Sequence, residues 1–275
     1  MRNLFRAFFL IFAVSYLSKD DLINFEKDGY LIKRNLFSES ELLDAEKTIE
    51  ELSSRKIEDW EIGKEMAYYE TNLKNKLRVL TRVEKTIEYH ESISKIANSK
   101  KLKACLDDLL GEGCILFKDK INFKRPGGLG WAPHQDVQAR WDYFASYFMN
   151  ALITIDDNDI DNGCLYVAPG HHKRKLIGKY DEKLSGSDLD GMNFVPLIAA
   201  RGDTIFFDGF LPHKSDANTG ERSRRNIYLT YNRISEGNKR NEYLDAKRRG
   251  LPPDNERKEG DKIKDCYAHN YFGEK

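Results

Sequence analysis

The sequence has no charge imbalance: 45 lysines and arginines face 45 aspartates and glutamates, for a formal net charge of +0. That removes the usual electrostatic argument for nucleic acid or an anionic membrane as the main partner, so any positive site must be local. Cysteine is scarce. Cys105, Cys114, Cys164 and Cys266 form no CxxC pair and no zinc-knuckle spacing, so they read as scattered buried thiols in a reducing, cytoplasmic setting. A long hydrophobic run is also missing. The apolar stretch from Ala7 to Val14, behind Arg2 and Arg6, falls short of the roughly 20 residues a spanning helix needs, so stable membrane insertion is not expected. It resembles a very short secretory signal with an imperfect cleavage site at Ala13-Val14-Ser15, which would make the protein exported. The competing reading is an N-terminal extension over 1–17 ahead of a domain over 18–275. Neither a fixed-period repeat nor a low-complexity linker divides the chain.

What is present suits a folded domain. In 275 residues, 40% are hydrophobic and 12% aromatic, enough for a sizeable core, and wholesale disorder is excluded. Ser18 with Asp21, and Ser38 with Glu41, are capping boxes that open helices, the first stopping at Gly29. Leu42, Leu43, Ala45, Ile49 and Leu52 recur at helical spacing after the second box. Further helices are expected from about Glu84 to Ala97 and from Lys101 to Leu110, stopped by Gly111. Residues 57–80 show no clean period and read as a loop or lid. From Cys114 onward the pattern turns to strands separated by Gly, Asn and Asp clusters. The fold class is therefore mainly β with an α-rich N-terminal third.

Two strands have unusual faces. Alternation in Cys114 to Lys124 puts Lys118, Lys120, Asn122 and Lys124 opposite Ile121 and Phe123. In the stretch after Arg224 it sets Arg224, Asn226, Tyr228 and Thr230 opposite Ile227 and Leu229. A polar face on an antiparallel strand ordinarily meets solvent. The alternative is that helices cover the apolar faces and the polar faces line the interior of an open barrel.

The sharpest motif is Trp131-Ala-Pro-His134-Gln-Asp136, with His213 following 77 residues after Asp136. Residues two apart on an extended segment point the same way, so His134 and Asp136 can converge on one metal. Two imidazoles and one carboxylate on one face of a metal leave positions open for a co-substrate and oxygen, the ligand set of non-haem Fe(II) oxygenases. Arg224 follows His213 by eleven residues, across a polar turn that folds the next strand back beside it. Its guanidinium fork is the natural bidentate partner of a carboxylate. Lys118, Asn122, Gln135, Gln138 and Trp141 are candidates for a small anionic or zwitterionic substrate, Trp141 by cation–π contact. His171-His172 reads as a surface turn, and His90 and His269 have no partner at useful spacing. A cupin-like zinc hydrolase would leave Arg224 without a role, and a silent binding module would leave the triad without one.

These motifs, together with the opening LSKDDLINFEKDGYLIKRNLFSESEL and the arginine strand RRNIYLTYN, resemble the phytanoyl-CoA dioxygenase family. The resemblance implies a double-stranded β-helix, or jelly-roll, with Fe(II) held by His134, Asp136 and His213. It further implies 2-oxoglutarate and O2 as co-substrates, with ascorbate as an activator. Arg224, Lys120 and Thr154 are then expected at the 2-oxoglutarate, with Arg222 and Arg225 as fallbacks for Arg224. The blocks LFKDKINFKRPGGLGWAPHQDVQARW and GCLYVAPGHHKR look most similar to the branch that hydroxylates 2-aminoethylphosphonate. Because Asp136 keeps a ligand carboxylate, hydroxylation rather than halogenation is the expected outcome.

Overall fold

In the computed structural model the residues described are 16–258. Cys266, His269 and all but the last two residues of the 1–17 extension lie outside them. The helices α1 (Lys19–Asp28), α2 (Glu39–Ser54), α3 (Glu91–Ala97) and α4 (Lys100–Leu110) come early, with strand β1 (Tyr30–Lys33) between the first two. Both capping boxes form, at Ser18 with Asp21 and at Ser38 with Glu41. Gly29 ends α1 at φ 79°, and a Cβ there would lie 2.5 Å from the His172 ring, so glycine is required twice over. His172 accordingly packs inward, buried, rather than sitting on a solvent-facing turn.

The strands build two antiparallel sheets. The larger has the order β1-β9-β6-β11-β4-β3-β2, where β2 is Met66–Thr71, β3 Arg78–Glu84, β4 Cys114–Lys124, β6 Phe148–Thr154, β9 Thr204–Asp208 and β11 Arg224–Arg233. The smaller runs β5 (Trp131–His134), β10 (His213–Ser215), β7 (Leu165–Val167) and β8 (Val195–Leu197). Phe25, Leu42, Ile49, Ile93 and Leu106 from the helices pack with Ile121, Ile227 and Leu229 on one face of the large sheet. Burying each such side chain is worth about 1.5–3 kcal/mol, which holds the helical layer on this face. Leu152, Ile205 and Phe207 meet Leu165, Val167 and Leu197 between the sheets. The result is the double-stranded β-helix, and with the apolar faces of β4 and β11 covered by helices, their polar faces turn inward.

Two expectations fail locally. Residues 57–80 are not a lid: β2 and β3 form a hairpin that extends the large sheet, pairing Arg82 with Asn122 and Glu84 with Lys120. The register shift between Tyr68 and Tyr69 breaks the two-residue alternation that would have revealed a strand. The helix expected from Glu84 begins only at Glu91. The intervening chain turns at Lys85, φ 61°, and is pinned by Thr86, whose backbone N–H and hydroxyl each donate to Asp119 at 2.6 Å. A further helix, α5 (Arg240–Gly250), is docked on β4 by Arg240, which pairs with Asp119 and with Glu88.

Candidate metal centre

His134 ends β5 and His213 opens β10, and the two are register partners across the small sheet. Gln135 stays extended (φ -107°, ψ 141°), so Asp136 returns to the side of His134 before a tight turn begins. One ligand atom from each of His134, Asp136 and His213 lies within 4.8 Å of the others. His134 Nδ1 sits 2.8 Å from the Ala132 carbonyl and His213 Nδ1 2.9 Å from the Leu211 carbonyl. Each Nδ1 therefore carries the proton, and each Nε2 keeps a free lone pair. Asp136 Oδ2 accepts from Asn150 Nδ2 at 2.9 Å.

The electrostatics favour the forms a metal needs. Burial, reinforced by His213, pushes His134 down to about 3, and burial likewise lowers His213. Burial alone would raise the Asp136 carboxyl, but His213 and Lys120 outweigh it and hold it below the usual carboxylate range. Neutral imidazoles and an ionised carboxylate are a ready donor set for a divalent transition metal.

Arg224 points into the same cavity from β11 and is buried. Its hydrogen-bonding surroundings set the Asn226 amide oxygen 2.7 Å from Nη1, while Nε is buried without a hydrogen-bond partner. Such an orphaned guanidinium edge fits an incoming carboxylate. The fallbacks are placed elsewhere: Arg225 is tied to Asp156 at 2.7 Å and Glu46 at 2.8 Å, and Arg222, largely exposed, pairs with Asp159 at 2.6 Å. Lys120 lines the cavity with its ammonium 4.6 Å from the Tyr228 ring centre. Thr154 is a correction, since it does not border the cavity and its hydroxyl is taken by the carbonyls of Ala200 and Asp203.

Lys118, Asn122 and Trp141 also border the cavity, Asn122 with Oδ1 buried and unpartnered. Trp141 is packed edge-on against Phe117 and Phe148, with the Lys118 ammonium 5.3 Å from its ring centre. Gln135 and Gln138 border the cavity too, but their amides are spent on backbone. Gln135 donates to the Lys175 and Phe210 carbonyls and accepts from Ile177 N, and Gln138 donates to the Lys179 carbonyl. They clamp the 175–184 loop at the mouth, where Arg140 also holds Asp181 at 2.6 Å. Their expected role as direct substrate ligands is therefore replaced by a structural one.

Sequence reasoning missed Arg82, Tyr243 and Lys247, all cavity-lining. Arg82 Nε lies 2.9 Å from Glu84, which also pairs with Lys247 from α5. The spacing of Tyr243, Leu244 and Lys247 on one helix face is the one available signal for Lys247.

An open jelly-roll with two imidazoles and one carboxylate at its mouth, and an inward arginine beside them, defines an Fe(II)/2-oxoglutarate-dependent dioxygenase. Residues 25–226 match the family model described as Phytanoyl-CoA dioxygenase (PhyH). The chain belongs to the phytanoyl-CoA dioxygenase family. It is 35% identical to a 2-aminoethylphosphonate dioxygenase from an uncultured bacterium, over 90% of this chain and 94% of that protein. It is 32% identical to a methylphosphonate hydroxylase from Gimesia maris, over 86% of this chain and 88% of that protein. Among solved structures it resembles EctD from S. alaskensis with 2-oxoglutarate and 5-hydroxyectoine, with a TM-score of 0.68 and 21% identity. That match covers 81% of this chain and 78% of the other.

Proposed function

We propose that this dioxygenase hydroxylates the phosphorus-bearing carbon of a small organophosphonate, 2-aminoethylphosphonate or a close relative. The observation that carries the reading is the charge of the cavity floor. Arg82 and Lys247 pair there with one carboxylate, Glu84, and Lys118 adds a third basic side chain, so basic groups outnumber the acid. Burial lowers Lys247 well below the ordinary ammonium range, with Glu84 opposing, while the Arg82 guanidinium keeps its charge. Burial alone would raise the Glu84 carboxyl, but Lys118, Lys247 and Arg82 hold it well below its ordinary range, so it stays ionised. A phosphonate carries close to two negative charges at neutral pH, as a phosphoryl group does. Its desolvation is offset where several cations meet it. The names of the two relatives, 2-aminoethylphosphonate dioxygenase and methylphosphonate hydroxylase, point the same way.

The residues divide the work. His134, Asp136 and His213 would hold iron through two nitrogens and one oxygen, and Arg224 would grip the distal carboxylate of 2-oxoglutarate, with Lys120 adding positive charge between the two. Iron with 2-oxoglutarate supplies the oxidation when bound, one atom of O2 entering the substrate C–H bond and the other leaving in succinate as CO2 is released. Arg82, Lys118 and Lys247 hold the phosphonate so that the adjacent carbon faces the triad, and Trp131, Trp141 and Tyr243 wall the cavity against water. Ascorbate is expected to sustain turnover by keeping the metal ferrous. The buried free thiols Cys105, Cys114 and Cys164 suit a cytoplasmic site of action.

A panel of 2-aminoethylphosphonate, methylphosphonate, taurine, small amino acids and an acyl-CoA ester tests the reading. Succinate release matched one-to-one by hydroxylated phosphonate is the expected result. Coupled turnover confined to the sulfonate, amino-acid or acyl-CoA members would overturn the substrate while leaving the oxygenase class standing.

A further inference from the structure

The three proposed metal ligands are not held in the same way. Both imidazoles are oriented by main-chain carbonyls two residues back, at Ala132 and Leu211, which no side-chain substitution removes. Asp136 instead receives a side-chain hydrogen bond, from Asn150 Nδ2 to Oδ2 at 2.9 Å. Asn150 is itself fixed. Thr230 is its register partner across β6 and β11, and the Thr230 hydroxyl donates to Asn150 Oδ1 at 2.7 Å. With the amide oxygen occupied by that donor, the amide nitrogen must face Asp136, and both residues are buried, so solvent offers no substitute partner. Thr230 lies on the inward face of β11, six residues beyond Arg224.

We infer that Asn150 and Thr230 are positioning residues for the metal centre: the chain Thr230 to Asn150 to Asp136 fixes the rotation of the ligand carboxylate, and with it the metal affinity. The inference rests on the assignment of Asp136 as a ligand. Oδ2 is also the carboxylate oxygen that faces His213 Nε2, at 3.9 Å, so the hydrogen bond from Asn150 to Oδ2 holds the carboxylate at a single rotation toward the two imidazoles. β11 then carries both the grip on the co-substrate, at Arg224, and the orientation of a metal ligand, at Thr230. Partners of this kind, one bond removed from the metal, typically change affinity by about 10- to 100-fold when removed.

The test compares Thr230→Val, nearly isosteric but unable to donate, with Thr230→Ser, which restores the hydroxyl, and with Asn150→Ala. The readouts are the Fe(II) and Co(II) dissociation constants of the apo-protein by calorimetry, and apo-protein melting temperature as the control for folding. Asp136→Ala supplies the reference for a lost ligand. The inference expects about a tenfold weaker metal affinity in Thr230→Val, as large or larger a loss in Asn150→Ala, and a return to within about twofold in Thr230→Ser. Unchanged metal affinity in Thr230→Val and Asn150→Ala, while Asp136→Ala binds no metal, would overturn the positioning role alone. Wild-type metal affinity in Asp136→Ala would instead overturn the ligand assignment on which it rests. If Asn150→Ala fails to fold, the Thr230→Val and Thr230→Ser pair still decides.

Discussion

Replacing Arg224 by lysine keeps the charge and removes the fork, and the surroundings of Arg224 allow the consequence to be sized. Nη1 is engaged by Asn226, so Nε and Nη2 form the edge available to a carboxylate, and Nε has no other partner. A lysine ammonium at this buried position offers one point contact in place of two parallel ones. Losing one hydrogen bond to a charged group costs about 1.5–3 kcal/mol, which corresponds to a 10- to 150-fold rise in the 2-oxoglutarate concentration needed. Initial rates of succinate formation against 2-oxoglutarate, at saturating iron, measure it. Anaerobic calorimetry of 2-oxoglutarate binding separates affinity from turnover. Arg225→Lys is the control, because Arg225 faces Asp156 and Glu46 away from the cavity. It should leave the requirement within about twofold and cost at most about 1 kcal/mol of stability. An unchanged requirement in Arg224→Lys, or a larger defect in Arg225→Lys, would refute the reasoning.

Metal binding to the folded apo-protein should raise its melting temperature, by about 2.7 kcal/mol of stability at a hundredfold excess over Kd, and His213→Ala should abolish that increment; a full increment in the variant would remove His213 from the site. Lys118→Met should raise KM for the phosphonate at least about tenfold, the loss of one charge-assisted contact, with KM for 2-oxoglutarate within about twofold. Equal changes in both would mean that Lys118 does not distinguish the two ligands. Burial and the neighbouring Lys118 bring Lys120 down to about 8, with Arg82 acting in the same direction and Asp136 and Glu84 opposing. It is a cation below that pH and loses its proton above it, so KM for 2-oxoglutarate, whose two carboxylates stay ionised throughout, should be flat from about pH 6 to about pH 8 and climb above it. Lys120→Met should lose that climb, and an equal climb in the variant would assign it to another group.

Much of this site is legible in residue order because its geometry follows short periods. His134 and Asp136 are two apart on extended backbone, and Lys118, Lys120, Asn122 and Arg224 share the inward parity of their strands. The capping boxes at Ser18 and Ser38 are equally local. What sequence hides depends on register or on distant backbone. Arg82 and Glu84 sit on β3, whose partner strand is bulged at Tyr68 and Tyr69, so no alternation marks the hairpin. Lys247 reads as one more charge on a solvated helix until α5 is laid against β4 and Glu84. Gln135 and Gln138 look like ligands by adjacency to the triad, and only the path of the 175–184 loop shows that main-chain groups claim their amides. Thr154 has the right strand, and the turn through Ala200 and Asp203 takes its hydroxyl. The Thr230–Asn150 pair requires the β6–β11 register, which composition does not specify.

The most direct test of the central claim is turnover of 2-aminoethylphosphonate under 18O2, followed by phosphorus NMR and mass spectrometry of the product. The account predicts one labelled oxygen on the carbon bonded to phosphorus, one succinate formed per product, and loss of both in His213→Ala. Succinate released without an oxygenated phosphonate, or label found on another carbon, would contradict it.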